Sequence, residues 1–261
     1  MIRLNGYGSF NFSNGRKQAN LLDTSFLNFP HLNPVNIFSY RRTIPPEGVD
    51  AVVQDIKIHF AHIIEAIAKR EVYVLDCVQT EISSLEVCIE TWRRHLHLSH
   101  APSEFRYGLN SYSQEYKRLI HEIRRQGDLD PRHRFSADEA QAYRFLLGKV
   151  RENSQNLYNP LVARKIHSER GEKLETDRHL ATMMLFYNQN RDVKLFGNDR
   201  DIAEVCKNTG DALLSEGMRP TVFNIYHIRC PRPDWAYTVS EIEFKAKPQV
   251  SAVQQKNINA A

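Results

Sequence analysis

Three segments in the first third of the chain constrain its fold more than any other feature. Residues 19–23 have the length and composition of a short buried strand, and residues 72–78 are continuous, β-branched and aromatic, as in a strand buried on both faces. Between them, apolar residues recur at i, i+3, i+4 and i+7 from Val49 to Ile67, which predicts a helix to about Lys69. Strand, helix and strand in this order predict a parallel sheet with right-handed crossovers.

The alternation continues along the chain and predicts a single α/β domain over residues 19–247, between an N-terminal arm (1–18) and a disordered tail (248–261). The further predicted helices are one from Ile82 to Leu96, one at 111–126, one from the capping box Ser136–Glu139 to about Glu152, one at 177–187 with Thr176 as N-cap, and one through Ile202 and Val205. The further predicted strands are residues 193–196, residues 221–225 and a terminal strand within 235–245.

Composition is that of an ordinary globular protein. Hydrophobic residues make up 41% of the 261 residues and charged residues 25%. No apolar run approaches the roughly 20 residues of a membrane span, and the N-terminus lacks the apolar core of a signal peptide. The four cysteines have no CxxC spacing, which favours reduced, mostly buried thiols over zinc or disulfides. We therefore predict an intracellular protein without a membrane partner.

Basic residues are concentrated in a predicted helical insertion at about 93–135. From Arg93 to Arg134 nine Lys/Arg oppose five acids, and Tyr107, Tyr112 and Tyr116 are interleaved with them. Clustered cations can follow a phosphate backbone, and tyrosines can stack on bases, which favours single-stranded RNA as a partner. A solvated charged surface is the alternative. The RNA-binding candidates are Arg93, Arg94, Lys117, Arg118, Arg124 and Arg125.

Acidic residues lie at several predicted junctions between strands and helices. Asp23 ends the first strand, Glu81 opens the helix after the second, Asp177 opens a later helix, and Asp199 and Asp201 follow the strand at 193–196. Carboxylates that converge at one sheet edge repel one another unless a divalent cation neutralises them, and Mg²⁺ or Mn²⁺ suits an all-oxygen site. For Glu81, Asp177 and Asp201 the alternative is a favourable interaction with a helix N-terminus.

Four segments of the chain resemble, in order, the acidic motifs of PIN-domain ribonucleases. They are AlaAsnLeuLeuAspThrSerPheLeu (19–27), ValTyrValLeuAspCysValGlnThrGluIle (72–82), ThrAspArgHisLeuAlaThrMetMetLeu (176–185) and LysLeuPheGlyAsnAspArgAspIle (194–202). The resemblance implies a three-layer α/β/α fold and matches Asp23, Glu81, Asp177 and Asp199 to four metal-binding, catalytic acids. Asp201 competes with Asp199 as a ligand. Ser25 and Asn198 match polar positions beside the first and last acids, whereas Gly197 stands where the family usually has Ser or Thr.

The function predicted from this resemblance is metal-dependent endoribonuclease activity that leaves a 5′-phosphate and a 3′-hydroxyl. An inhibitory or targeting protein partner and homo-oligomerisation are compatible with it. The first alternative is a PIN-like module that has lost catalysis and serves in RNA binding or scaffolding. The second is a phosphatase of the haloacid-dehalogenase type, which needs a second Asp where this chain has Ser25. His59 and His62 are predicted to be polar residues on the solvated face of their helix.

Overall fold

The computed structural model describes residues 18–27, 48–98, 103–155, 171–218, 223–229 and 238–245. The predicted arm, apart from Gln18, and the predicted tail lie outside these residues. Six α-helices are described: α1 (Val49–Ala68), α2 (Asp76–Leu98), α3 (Ser103–Gln126), α4 (Ala137–Gln155), α5 (Gly171–Asn188) and α6 (Arg200–Ser215). Two short 3-10 helices span Thr24–Leu27 and Pro131–Arg134.

The strands form a mostly parallel sheet in the order β1-β2-β3-β4, which confirms a mixed α/β fold. They are β1 (Gln18–Leu22), β2 (Asp192–Phe196), β3 (Ile225–Arg229) and β4 (Thr238–Glu241). The predicted strands at 19–23 and 193–196 are thus confirmed to within one residue. The strand predicted at 221–225 overlaps β3 only at Ile225. Residues 221 and 222 lie outside the described part of the chain, and residues 223 and 224 precede the strand.

The predicted strand at 72–78 is wrong in its second half. Only Tyr73 pairs with β1, in a parallel bridge to Leu21. Helix α2 begins already at Asp76, whose N–H donates to a carboxylate oxygen of Asp130 at 2.9 Å. This acceptor satisfies an N–H group that the first turn of a helix leaves without a partner, so the helix starts several residues earlier than its apolar spacing indicates.

By internal contacts the chain divides into two compact units. The first comprises residues 1–135, 195–198 and 228–239, and its helices α1 and α2 both pack against α3. The rings of Phe60, Tyr112 and Tyr116 meet edge to face, with centroids 5.9–6.0 Å apart. The Tyr112 hydroxyl donates to the Leu27 carbonyl at 2.8 Å, and the Tyr116 hydroxyl to the Ile82 carbonyl at 3.0 Å. The prediction that Tyr112 and Tyr116 could stack on bases is therefore wrong, because both are buried.

The second unit comprises residues 136–194, 199–227 and 240–261, and α4, α5 and α6 pack against one another within it. The capping box is confirmed, since Glu139 N–H donates to Ser136 Oγ at 3.2 Å and Ser136 N–H donates to the Glu139 carboxylate at 2.8 Å. The predicted N-cap at Thr176 is wrong. Helix α5 starts at Gly171, because Glu, Lys and Leu at 172–174 are good helix formers, and Thr176 and Asp177 lie within it.

His59 does not lie on a solvated face, so that part of the histidine prediction is wrong. It is only 1% exposed, and its Nε2 lies 3.0 Å from the Phe26 carbonyl oxygen. Cys206 is buried and Cys88 is exposed, so burial of the cysteines is only partly confirmed. Within the described part of the chain, no helix has both the length and the hydropathy needed to span a membrane.

A pair of helical glycines gives a direct test of packing in the second unit. A Cβ on Gly210 of α6 would overlap the Phe244 ring, whereas one on Gly148 of α4 would meet nothing within 4 Å. We expect Gly210→Ala to lower the free energy of unfolding by about 1–3 kcal/mol, because the ring must leave its place. Gly148→Ala should raise it by up to about 1 kcal/mol, since alanine favours the helix. Urea unfolding of both variants measures this, and equal shifts would contradict the described position of Phe244.

Candidate metal centre

Three of the predicted acids come together in the second unit. One carboxylate oxygen from each of Asp177, Asp199 and Asp201 lies within 4.8 Å of the other two. Asp177 is 3% exposed and Asp201 7% exposed, while Asp199 is half-buried. We call these residues the acidic triad. A set of closely spaced carboxylates can bind a hard divalent cation through oxygen.

The acidic triad is held by the packing of two helices. Asp177 projects from the interior of α5, and α5 packs against α6. Asp199 is the N-cap of α6, where its Oδ1 accepts a hydrogen bond from Asp201 N–H at 3.1 Å. Asp201 is in the first turn of the same helix. Asp199 is thus the cap of α6, and Asp201 joins Asp199 in the acidic triad instead of competing with it.

Asp23 lies in the first unit, directly after β1, and is 3% exposed. Its N–H donates to the Phe196 carbonyl at 2.9 Å, which fixes it at the end of the sheet pairing. Ser25 bonds to Asp23 Oδ2 twice, through its N–H at 3.2 Å and through its hydroxyl. Asn198 N–H donates to Ser25 Oγ at 2.7 Å, and its side-chain amide donates to the Ser25 carbonyl at 3.0 Å. The polar positions predicted beside the first and last acids therefore contact each other.

Gly197 lies against Asp23 and leaves no room there for a side chain. A Cβ at this position would lie 3.0 Å from Asp23 Cβ and 3.1 Å from Asp23 Oδ2. Any larger side chain would therefore press on the carboxylate. The glycine lets the end of β2 approach Asp23 closely, and Asn198 and Asp199 follow directly in the chain.

Glu81 does not open its helix as predicted. Because α2 starts at Asp76, Glu81 lies in the second turn, where it is half-buried. Helix α2 contacts the 3-10 helix Thr24–Leu27 that follows Asp23. Within the described residues, neither Glu81 nor Asp23 belongs to either of the two groups of side chains that could hold a metal ion.

The second of these groups was not anticipated from the sequence and consists of Asp76, Asp130 and His133. Asp130 is fully buried, and its carboxylate accepts hydrogen bonds from the guanidinium and the N–H of Arg132. Burial acts to raise the pKa of Asp130, but the hydrogen bonds from Arg132 and from Asp76 N–H lower it overall. The motif Asp-Leu-Asp-Pro-Arg-His-Arg (128–134) was the available indication, since Asp before Pro is typical of a helix N-cap.

Most of the predicted RNA-binding cations already contact acids in the first unit. Arg93 and Lys117 both pair with Glu90, Arg118 pairs with Glu115, and Arg125 pairs with Glu122. Hydrogen bonds from Lys117, Ser113 and Arg93 lower the pKa of Glu90 to about 2. Arg94 and Arg124 are exposed and form no ion pair with any described residue.

Comparisons with protein-family models, with curated proteins and with solved structures found no match to this chain.

Proposed function

We propose that this protein is a metal-dependent endoribonuclease with a three-layer, PIN-like arrangement. The observation that carries the proposal is the acidic triad, in which Asp177, Asp199 and Asp201 have ligand oxygens within 4.8 Å of one another. Two of these three carboxylates are buried. Carboxylate oxygens this close together can bind one hard divalent cation, and this geometry is the physical argument for a metal.

The donor set fits Mg²⁺ or Mn²⁺. All three side chains offer oxygen, the ligand that these hard cations take, and the acidic triad contains neither the histidine nor the cysteine typical of a zinc site. Asp177, Asp199 and Asp201 would hold the ion. When bound, such an ion supplies an activated water and stabilises negative charge on a phosphate undergoing attack.

The chain's own contribution is to hold the carboxylates in place. At the N-terminus of α6, Asp201 N–H donates to Asp199 Oδ1 at 3.1 Å and orients that carboxylate. Ser25, held by Asn198, donates to Asp23 and fixes the orientation of that carboxylate. By its resemblance to the first PIN motif, Asp23 is proposed as a further catalytic acid, although among the described residues it is not part of the acidic triad.

Single-stranded RNA is the proposed substrate. Region 93–134 keeps its excess of basic residues, because forming an ion pair does not change the number of charges. Of the predicted RNA-binding residues, Arg94 and Arg124 are the exposed cations best suited to contact phosphate. Of the tyrosines proposed for stacking, only Tyr107 remains, with 49% of its surface exposed.

A catalytically inactive, RNA-binding module is the second candidate. It is favoured by one observation, that two of the four predicted catalytic acids, Asp23 and Glu81, join no group of possible metal ligands within the described residues. Such a module would bind RNA, with or without Mn²⁺, and release no product.

The test of the proposed function is cleavage of a 5′-labelled single-stranded RNA by the full chain. We expect cleavage with Mn²⁺ or Mg²⁺, none after treatment with EDTA, and recovery when metal is restored in excess. The products should carry 5′-phosphate and 3′-hydroxyl ends. Cleavage that survives EDTA would exclude the metal mechanism. Mn²⁺ binding without cleavage would favour the inactive module.

A further inference from the structure

A network of hydrogen bonds joins the C-terminal ends of two helices in the first unit. Arg70, two residues after the end of α1, donates through Nη2 to the Gln126 carbonyl at 3.0 Å and through Nε to Gln126 Oε1 at 3.5 Å. Gln126 Nε2 donates to Glu122 Oε1 at 2.7 Å. Arg125 donates to both oxygens of Glu122, at 2.9 Å and 2.7 Å. Two guanidiniums from different elements are therefore connected through a single carboxylate.

The backbone of Arg70 adopts a conformation that favours glycine. Its φ is 56°, in the left-handed region, and among the described residues other than glycine it alone has a positive φ. The turn is closed by backbone bonds, from Arg70 N–H to the Ile67 carbonyl and from Glu71 N–H to the Ala66 carbonyl, both at 2.9 Å. This turn needs no side chain at position 70, so the guanidinium is the feature to be explained.

The charge of Arg70 is not offset by an acid. Its two hydrogen-bond acceptors, both on Gln126, are a neutral carbonyl oxygen and a neutral amide oxygen. Arg70 is exposed and forms no ion pair with any described residue. The guanidinium is thus fixed in place while its positive charge faces solvent.

Arg70 and Arg125 continue a line of guanidiniums along α3. Arg118 lies on the same side of α3 as Arg125, about two turns or 10 Å before it. Arg118 pairs with Glu115 at 2.7 Å, as Arg125 pairs with Glu122. Both arginines are exposed, whereas the side chains of Glu115 and Glu122 are each only 10% exposed. The acids lie beneath, and three guanidiniums against two carboxylates leave an excess of positive charge on this surface.

We propose that Arg118, Arg125 and Arg70 form a track that binds the phosphates of single-stranded RNA. This inference rests on the proposed RNA substrate, and it adds Arg70, which was not among the residues predicted from the sequence. A guanidinium has five N–H donors in one plane, so a bond to an acid beneath it leaves donors for phosphate oxygens. Cations repeated along a line fit a chain of phosphates better than a single carboxylate. The bonds to Glu122 and Gln126 also reduce the side-chain freedom that is lost on binding.

Two other roles for Arg70 make different predictions. A role confined to capping α3, through the Gln126 carbonyl, would affect stability and leave RNA affinity unchanged. A site for free phosphate at Arg70 and Arg125 would not involve Arg118, which is about two helical turns from Arg125.

The experiment is fluorescence anisotropy of labelled, single-stranded polyuridylate with the full chain in EDTA, where metal-dependent cleavage is blocked. We expect Arg70→Gly to weaken binding about tenfold, which corresponds to one charge-assisted hydrogen bond. The slope of log affinity against log salt concentration should become shallower by about 0.7 for each lost phosphate contact. Because glycine adopts a positive φ readily, Arg70→Gly should unfold at the wild-type temperature or higher. Weaker binding by a variant this stable would exclude a purely capping role.

Arg118→Gln tests the track away from the helix ends, and Arg144→Gln is the control. Arg118→Gln should weaken binding and reduce the salt slope as Arg70→Gly does. Arg144 is exposed on α4 and outside the track, so its variant should bind RNA like the wild type. Wild-type affinity of Arg70→Gly, or equal losses in Arg70→Gly and Arg144→Gln, would overturn the proposal.

Two further outcomes separate this inference from its alternatives. If inorganic phosphate competes with RNA at constant ionic strength while Arg118→Gln binds RNA normally, the site is one for free phosphate and the track is refuted. If the wild type binds RNA through Arg70 and Arg118 but does not cleave it when Mn²⁺ is added, the track is supported and the proposed nuclease activity is refuted.

Discussion

Asp177→Asn is expected to abolish Mn²⁺-dependent cleavage of single-stranded RNA while the protein remains folded. The substitution keeps the size of the side chain but removes one of three closely spaced negative charges. A catalytic metal supplies several kcal/mol of transition-state stabilisation, so its loss corresponds to a decrease on the order of a thousandfold in rate. Cleavage rates with Mn²⁺ in excess over the wild-type requirement measure the effect.

The matched control for this substitution is Asp138→Asn. Asp138 is also in the second unit, but it is exposed in the first turn of α4 and outside the acidic triad. Its variant should cleave at the wild-type rate. Full activity of Asp177→Asn would refute the proposed metal site, whereas equal losses in both variants would indicate a general effect of lost negative charge.

Thermal unfolding separates a lost metal site from a damaged fold. Without metal, Asp177→Asn should unfold at the same temperature as the wild type or higher, because repulsion within the acidic triad decreases. Added Mn²⁺ should raise the unfolding temperature of the wild type more than that of the variant, since binding to the folded state stabilises it. A variant that unfolds much earlier without metal would show that Asp177 is mainly structural.

Local sequence patterns correctly predicted those helices and caps whose deciding residues are close together in the chain. Helix α1 repeats its apolar residues at helical spacing, and the capping box at Ser136 is complete within four residues. The start of α2 could not be predicted in this way. Its acceptor, Asp130, lies 54 residues later in the chain, and no local pattern connects it to Asp76.

The burial of the tyrosines was predictable in principle. Buried residues of α3 recur at helical spacing from Phe105 through Leu109, and Tyr112 and Tyr116 continue that stripe. Tyr112 and Tyr116 are therefore part of the apolar face of this helix and not a base-stacking surface. Each hydroxyl needs only one carbonyl acceptor to be buried, and Leu27 and Ile82 provide these from other parts of the chain.

The predicted site residues also differ in whether local sequence or tertiary packing sets their position. Asp23 and Asp199 follow strands, and this position was readable from short apolar runs that end in an acid. Asp177 lies in the middle of a helix, and its approach to Asp199 and Asp201 depends on how α5 packs against α6. Such packing is tertiary, so spacing alone could identify the residue as a candidate but not its contacts.

Acidification is expected to destabilise the protein through His59. Burial lowers the pKa of His59 to about 4, although its hydrogen bond with the Phe26 carbonyl partly opposes this. The folded state therefore keeps the ring neutral, while the unfolded chain takes up a proton below pH 6.5. The contribution of neutral His59 to the free energy of unfolding is fully present above pH 6.5 and is lost as the pH decreases toward 4. At about 1.4 kcal/mol per pKa unit, this contribution is about 3 kcal/mol.

Protonation of His59 is also expected to affect the segment beside Asp23, because the ring is hydrogen-bonded to that segment. Its partner, Phe26, lies in the 3-10 helix Thr24–Leu27, which also carries Ser25 beside Asp23. The free energy of unfolding from urea titrations between pH 7 and pH 4 should fall more steeply for the wild type than for His59→Gln, which cannot titrate. His62→Gln, at an exposed histidine on the same helix, should follow the wild-type curve closely, since its charge has only a minor effect on His59. Parallel curves for the wild type and His59→Gln would mean that the buried ring does not control stability in acid.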